Sequence, residues 1–217
     1  GCHWSFASII ASGANACCLH YHDNNAPLKD GELIMVDAGA EFGGYAGDIS
    51  RTAPINGKFS RQQQALYEII LNAQKTAIAN ARAGIRHLDL HRQTSILLMQ
   101  GIIDLGIVDG NAEEMVDSGE VKRFYPHGTG HWLGLDVHDV GIYKIDGESR
   151  IYRPNMVITI EPGLYLQAND TTIEESWRGI GIRIEDDIII TEGEAEVTTA
   201  DVPKEIREIE ALLAERR

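Results

Sequence analysis

The chain is short of cysteine, of basic residues and of long apolar runs, and each shortage excludes something. Its three cysteines, Cys2, Cys17 and Cys18, are odd in number and include an adjacent pair, so they do not read as a disulfide framework. None has C-x-x-C spacing, which argues against a thiolate metal site, and unpaired thiols fit a reducing, cytoplasmic setting. Nineteen Lys and Arg stand against thirty-three Asp and Glu, a formal charge of −14. That balance argues against a nucleic-acid partner and leaves room for bound cations. No apolar run approaches the length, about twenty residues, that spans a bilayer, so no membrane partner is expected. The opening "GCHWSFASII" lacks the basic start and long apolar stretch of a signal peptide. It also lacks an initiator Met and reads as a fragment or a processed product.

What is present is an ordinary mixture: 217 residues, 43% hydrophobic and 24% charged, enough for one good-sized domain. The opening third alternates strands and turns, with "FASIIASG", a Gly-Gly turn inside "GELIMVDAGAEFGGYAGDISRTAPI", and a turn at "NGK". A helix is expected from a Ser60 cap, with Leu66, Ile69, Ile70, Ala73 and Ala77 at helical spacing and Gly84 at its end. A second covers "HLDLHRQTSILLMQGIIDLG", with Leu88, Ile96, Leu97, Met99, Ile102 and Ile103 turned mostly inward. The acidic "DGNAEEMVDSGE" reads as a solvated connection, and "ANDTTIEESWR" as a polar linker between two late strand regions, "NMVITIEPGLYLQ" and "GIGIRIEDDIIITEG". A final helix follows Pro203. Nothing Pro- or Ser-rich divides the chain, which reads as one mixed unit of helices and strands.

The two halves echo one another. "MVDAG" then "GYAGDISRT" is matched by "TIEPG" then "GIGIRIEDDIIIT": an apolar strand ends in an acid two residues before a glycine, and a second strand carries another acid. Alone, Asp37 suits a turn and Glu185 could pair with Arg183. Together they weigh differently: "LIMVD", "VITIE" and "GIRIE" place Asp37, Glu161 and Glu185 at or within apolar strands, where an unpaired carboxylate costs several kcal/mol, and Asp48 adds a fourth acid. Few arginines lie near, and two divalent ions would neutralise four carboxylates. The eleven-residue offset of Asp37 and Asp48 fits strand, turn and returning strand, with both acids on one face.

Three of eight histidines, His127, His131 and His138, fall within "HGTGHWLGLDVHD". His127 and His131 have the i, i+4 spacing of zinc helices, but "GTG" between them has no Glu and two glycines, so the segment reads as loop or strand. One nitrogen ligand, with two histidines facing substrate or supporting the site, is a reasonable division; the competing reading makes His138 a satisfied strand histidine. His87 and His91, one helical turn apart, read as a solvated helix face. His20 cannot be classed from its surroundings.

The ordered set of Asp37, Asp48, "HGTGHWLGLDVHD", "TIEPGLY" and "GIGIRIEDDIIIT" closely resembles the catalytic domain of the aminopeptidase P (Xaa-Pro aminopeptidase) family among the pita-bread metallopeptidases, family M24. The resemblance runs from about Ala14 to the end. It implies an α+β pita-bread fold, with two pseudo-symmetric α/β halves around a curved antiparallel sheet, and residues 1–217 as the catalytic domain without the family's N-terminal domain and the first part of the catalytic domain. It implies hydrolysis of an N-terminal Xaa-Pro bond by a hydroxide held between two divalent ions, Mn²⁺ first, with Co²⁺, Fe²⁺ or Zn²⁺ as alternatives. The implied metal ligands are Asp37, Asp48, His131, Glu161 and Glu185. Glu161 would also move the proton, His138 and His20 would contact the substrate and the tetrahedral intermediate, and His127 would line the proline subsite. Arg183 and Tyr165 would belong to a hydrogen-bonding network that orients Asp37. The implied partner is a peptide with proline second, and the full-length protein would be a homo-oligomer. Prolidases share the motif, creatinases share the fold without metal, and some pita-bread domains are metal-free peptide-binding modules; the complete ligand set argues against the last two.

Overall fold

The computed structural model describes residues 1–215. The chain opens with β1 (His3–Trp4) and β2 (Ile9–Ser12), then a 3₁₀ turn over Gly13–Cys17. It continues with β3 (Leu33–Ala38), β4 (Ala40–Phe42), β5 (Tyr45–Ala46) and β6 (Ile49–Pro54). Strands β2, β3 and β6 form one antiparallel sheet in that order, and β1, β4 and β5 a smaller one. The expected Gly-Gly turn is the two-residue link of β4 to β5. Gly43 and Gly44 both have positive φ, 61° and 86°, a conformation glycine adopts freely.

The helices come next. In α1 (Arg61–Asn80) the Ser60 hydroxyl and the Gln63 side chain form a reciprocal capping box. The helix stops before Gly84 because Ala81 is already extended. In α2 (His87–Asp104), Leu98, Met99 and Ile102 are buried with Leu66 and Ile70 of α1 in one core. The two helices approach closely at Gly101, where an added Cβ would lie 2.5 Å from Ile69. Leu88, expected inside, is instead exposed. His87 and His91 are not a solvated pair either. His87 Nδ1 lies 2.8 Å from the Tyr152 hydroxyl and His91 Nδ1 3.0 Å from that of Thr129.

The acidic connection also departs from expectation: it contains α3 (Ala112–Ser118). Asn111 caps the N–H groups of Glu113 and Glu114, Gly119 closes the helix at φ 83°, and Ala112 and Met115 enter the core. Acidic residues cover its outer side, which hid two apolar anchors in a short segment. The polar linker between the two late strand regions hides another, since Ile173 is buried in the same core.

The remaining strands are β7 (Lys144–Ile145) and β8 (Glu148–Ser149), a hairpin, then β9 (Val157–Ile160), β10 (Gly163–Leu166), β11 (Ile180–Arg183), β12 (Asp186–Ile189) and β13 (Glu196–Val197). Each late strand region that reads as one run is broken once. The first breaks at Glu161–Pro162 and the second at Ile184–Glu185, so that β10 pairs with β11 while β9 pairs with β12. The breaks fall on the two acids. The closing helix α4 (Ile206–Ala214) buries Ile209 against the main core; residues 216–217 of that expected helix lie outside the described residues. Among the described residues no helix is long and apolar enough to cross a membrane.

Candidate metal centre

Sheet register explains how four acids meet. Asp37 lies opposite Ser50 in the β3/β6 pair, and Asp48, two residues before Ser50, projects from the same face. In the other half Ile160 lies opposite Asp186, so one further step sets Glu161 across from Glu185. The Glu185 N–H donates to the Ser50 carbonyl at 3.0 Å, and the Arg183 N–H to the Thr52 hydroxyl at 3.2 Å. These bonds join the two hairpins along one seam and bring their carboxylates together.

The glycine-rich histidine segment runs beside β9 as a strand-like edge. Thr159 N–H donates to the His131 carbonyl (3.0 Å), Glu161 N–H to that of Thr129 (2.8 Å), and His131 N–H to the Thr159 hydroxyl (3.1 Å). Glycine is required at position 130, where a Cβ would fall 1.8 Å from the Thr159 carbonyl oxygen. His131 Nδ1 lies 3.0 Å from the Trp132 carbonyl, which only accepts, so this nitrogen carries the proton. Its Nε2 lone pair then faces Asp48 Oδ2 at 3.5 Å and Glu161 Oε1 at 3.7 Å.

This donor set fits divalent cations. Ligand atoms of Asp48, His131 and Glu185 all lie within 4.8 Å of one another. One carboxylate oxygen of Asp37 and one of Asp48 are buried without a hydrogen-bond partner, a cost that a coordinated ion removes. Charge is lopsided too, because among the described residues Arg183 is the one arginine or lysine in contact, 2.6 Å from Asp37. Burial, only partly offset by Arg183, pushes Asp37 up to about 6. Burial likewise lifts Glu161 to about 7 against the pull of His131 and Arg183. Glu185 is raised well above the usual range by burial and then by Asp48 and Glu161. For His131 burial is the largest influence and favours the neutral ring, but Asp48, Glu161 and the Trp132 carbonyl together outweigh it and raise the pKa.

The site opens into a cavity of about 490 Å³ lined by the four acids, His20, His127, His131, His138 and Arg183. Tyr165 stands behind it, accepting from Arg183 Nη1 at 3.0 Å and lying 2.8 Å from His127 Nε2. Burial, then Arg183, holds His127 neutral and lowers its pKa to about 3. Its Nδ1 donates to the Gly128 carbonyl, so Nε2 accepts the Tyr165 proton. The His138 ring lies 4.3 Å from that of His131 and 6.3 Å from that of His20. Burial lowers the pKa of both outer rings, helped by Arg183 for His20 and by His131 for His138. All ten residues singled out from the sequence therefore gather at one place. Glu185 does not take Arg183 as its ion-pair partner; that guanidinium goes to Asp37.

Sequence reasoning passed over Leu19, Asp139 and Tyr143, which also line the cavity, and Asp187, whose Oδ2 accepts the Asp48 N–H at 3.0 Å. Asp139 was visible as the end of the histidine motif. Leu19 and Tyr143 had no signal, since each looks like an ordinary apolar or aromatic residue in a loop.

The profile of metallopeptidase family M24 matches residues 1–192. Xaa-Pro aminopeptidase of Haemophilus influenzae is 48% identical over 209 residues, 96% of this chain and 48% of that protein. Among solved structures, Pseudomonas aeruginosa aminopeptidase PepP superposes with a TM-score of 0.95 at 46% identity, over 98% of this chain and 48% of the other. Zn-substituted Escherichia coli aminopeptidase P in complex with product gives 0.94 at 46% identity, over 99% and 48%. The chain spans about half the length of the curated relatives it matches. With its paired acid-bearing hairpins and a family-wide match over most of its length, the chain belongs to metallopeptidase family M24 and has the pita-bread fold.

Proposed function

We propose that residues 1–217 are the catalytic domain of an Xaa-Pro aminopeptidase that works with two divalent ions. The observation that carries this reading is the buried cluster of four carboxylates and one imidazole, with orphaned oxygens on Asp37 and Asp48 and, among the described residues, a single neighbouring arginine. Asp37, Asp48, His131, Glu161 and Glu185 would hold the two ions. Oxygen donors outnumber nitrogen, which suits Mn²⁺ before Co²⁺, Fe²⁺ or Zn²⁺. When bound, such ions polarise a carbonyl and bring the pKa of water toward neutrality.

The chain's own groups do the rest. Glu161, in the cavity wall beside His131, would take a proton from the attacking water and pass it to the departing proline nitrogen. His138 and His20, side by side at the cavity wall, hydrogen-bond the substrate and the oxyanion of the tetrahedral intermediate. Neutral His127 offers a ring face to the proline, and Tyr165 fixes that ring. Arg183 orients Asp37, whose end of the cavity receives the free α-amine and restricts cleavage to the first peptide bond. The substrate is a peptide with proline second. Unpaired thiols at Cys2, Cys17 and Cys18 suit the cytoplasm, and the exposed Trp4, Phe42 and Tyr45 give a homo-oligomer apolar surface to use.

Turnover of a tripeptide Xaa-Pro-Yaa against the dipeptide Xaa-Pro tests the assignment. Release of the first residue from the tripeptide supports it. Hydrolysis of the dipeptide alone overturns it and makes the protein a prolidase.

A further inference from the structure

One cross-strand pair beneath the metal cluster holds two ligands by their backbones. Asp187 in β12 lies directly opposite Thr159 in β9. The Thr159 hydroxyl accepts the His131 N–H at 3.1 Å, and Thr159 N–H returns a bond to the His131 carbonyl at 3.0 Å. The Asp187 carboxylate accepts the Asp48 N–H at 3.0 Å. Asp48 and His131 face each other across the site, Oδ2 to Nε2 at 3.5 Å. The spacing of two ligands from opposite halves is thus set from one rung of the second sheet.

Asp187 is itself well anchored. Its N–H donates to the Thr199 hydroxyl at 3.2 Å, and its carbonyl accepts from the Thr198 N–H at 2.9 Å and the Thr198 hydroxyl at 3.1 Å. Asp48, by contrast, sits in the one-residue-plus-glycine junction between β5 and β6, after Gly47 and before the ladder resumes at Ile49. Asp187 is buried, 5% exposed, and its other oxygen has no hydrogen-bond partner. A buried carboxylate next to other acids is costly, so a role that needs an acceptor at that point accounts for it better than packing does.

We propose that Asp187 is a positioning residue for the metal centre: its carboxylate fixes the Asp48 backbone, and through it the Asp48 side chain, at the distance from His131 that metal binding needs. The inference rests on the metal-centre reading above. Loss of a partner that orients a ligand typically weakens metal affinity about 10–100-fold.

The test is calorimetric titration of Mn²⁺ into metal-free protein. Asp187→Ala is expected to weaken binding by about 10–100-fold while the melting temperature of the metal-free protein stays near that of the wild type. Asp187→Asn keeps an acceptor oxygen and is expected to restore wild-type affinity. Asp187→Val, close in volume without an acceptor, replaces the alanine variant if that does not fold. Wild-type affinity in the acceptor-free variant overturns the proposal, as does an equal loss in Asp187→Asn, which would assign the effect to charge. Fast hydrogen exchange of the Asp48 amide in the wild-type protein overturns it without any variant. If the wild type itself binds no Mn²⁺, the metal-centre reading fails first.

Discussion

Glu185 and Asp186 are neighbours in sequence, both acidic and both buried, yet the protein treats them oppositely. Asp186 is surrounded by donors: Arg51 at 2.7 Å, Lys204 at 2.5 Å, Gln74 at 2.6 Å and the Thr199 hydroxyl at 2.7 Å. Burial would raise its pKa, but these partners win and hold it below the usual carboxylate range. Glu185 faces other acids across the seam, and its pKa is pushed far up by burial and by Asp48. The chain turns Asp186, the first residue of β12, toward its own cations, and leaves Glu185, in the break just before it, facing a cavity lined by other acids. A buried acid whose charge the protein cancels ties the structure together. One whose charge the protein leaves uncancelled is built for a cation from outside.

The sharpest way to break this contrast is to remove the outside cation. Chelation, or Asp48→Ala, is expected to lower peptide hydrolysis at least about a thousandfold, since such ions supply several kcal/mol to the transition state. Full turnover in a strong chelator would contradict it. Next, Asp186→Ala removes the carboxylate that Arg51 and Lys204 share and is expected to cost about 3–5 kcal/mol of stability, read by chemical denaturation of the metal-free protein. Glu185→Gln, one position earlier, is expected to leave the metal-free protein at least as stable as wild type while weakening metal binding. Equal destabilisation by both substitutions would erase the distinction. His138→Ala, beside the cluster but outside the ligand set, is expected to keep both ions and lose about 10²–10³-fold in kcat, with metal counted by elemental analysis on the same sample.

The smallest effect lies away from the cluster. Burial, then His91, lowers His87 to about 4. The folded ring stays neutral where the unfolded ring, with a pKa of about 6.5, takes up a proton. Below about 6.5 the unfolded state therefore binds more protons, and stability falls as the pH drops toward about 4, by no more than about 1.4 kcal/mol per pH unit. Denaturation curves of wild type and His87→Asn should diverge only in that interval. A wild-type curve parallel to the variant's would remove His87 as the cause.

The contrast also shows what could be read from the sequence. Asp37, Glu161 and Glu185 were legible because each ends or interrupts an apolar strand, where an acid is conspicuous, and Asp48 because it echoes Glu185 in the other half. The long helix α1 was legible from its Ser60 cap and its spacing. Helix α3 was not, because Ala112 and Met115 are two small anchors among acidic residues, and only the tertiary core reveals their use. The different fates of Glu185 and Asp186 were hidden for another reason. Lys204 and Thr199 reach Asp186 from beyond β12, and Asp187 reaches Asp48 from 139 positions away. Those partners are set by the break of one apparent strand into β11 and β12, a change of pairing that local pattern does not record.

The most direct measurement is the number of divalent ions held by the metal-free protein after Mn²⁺ is added back and the excess removed. Two ions per chain in the wild type, lost in Asp48→Ala and retained in Asp186→Asn, is the expected result. No ion retained by the wild type, or the same number retained by the Asp48→Ala variant, would contradict the account.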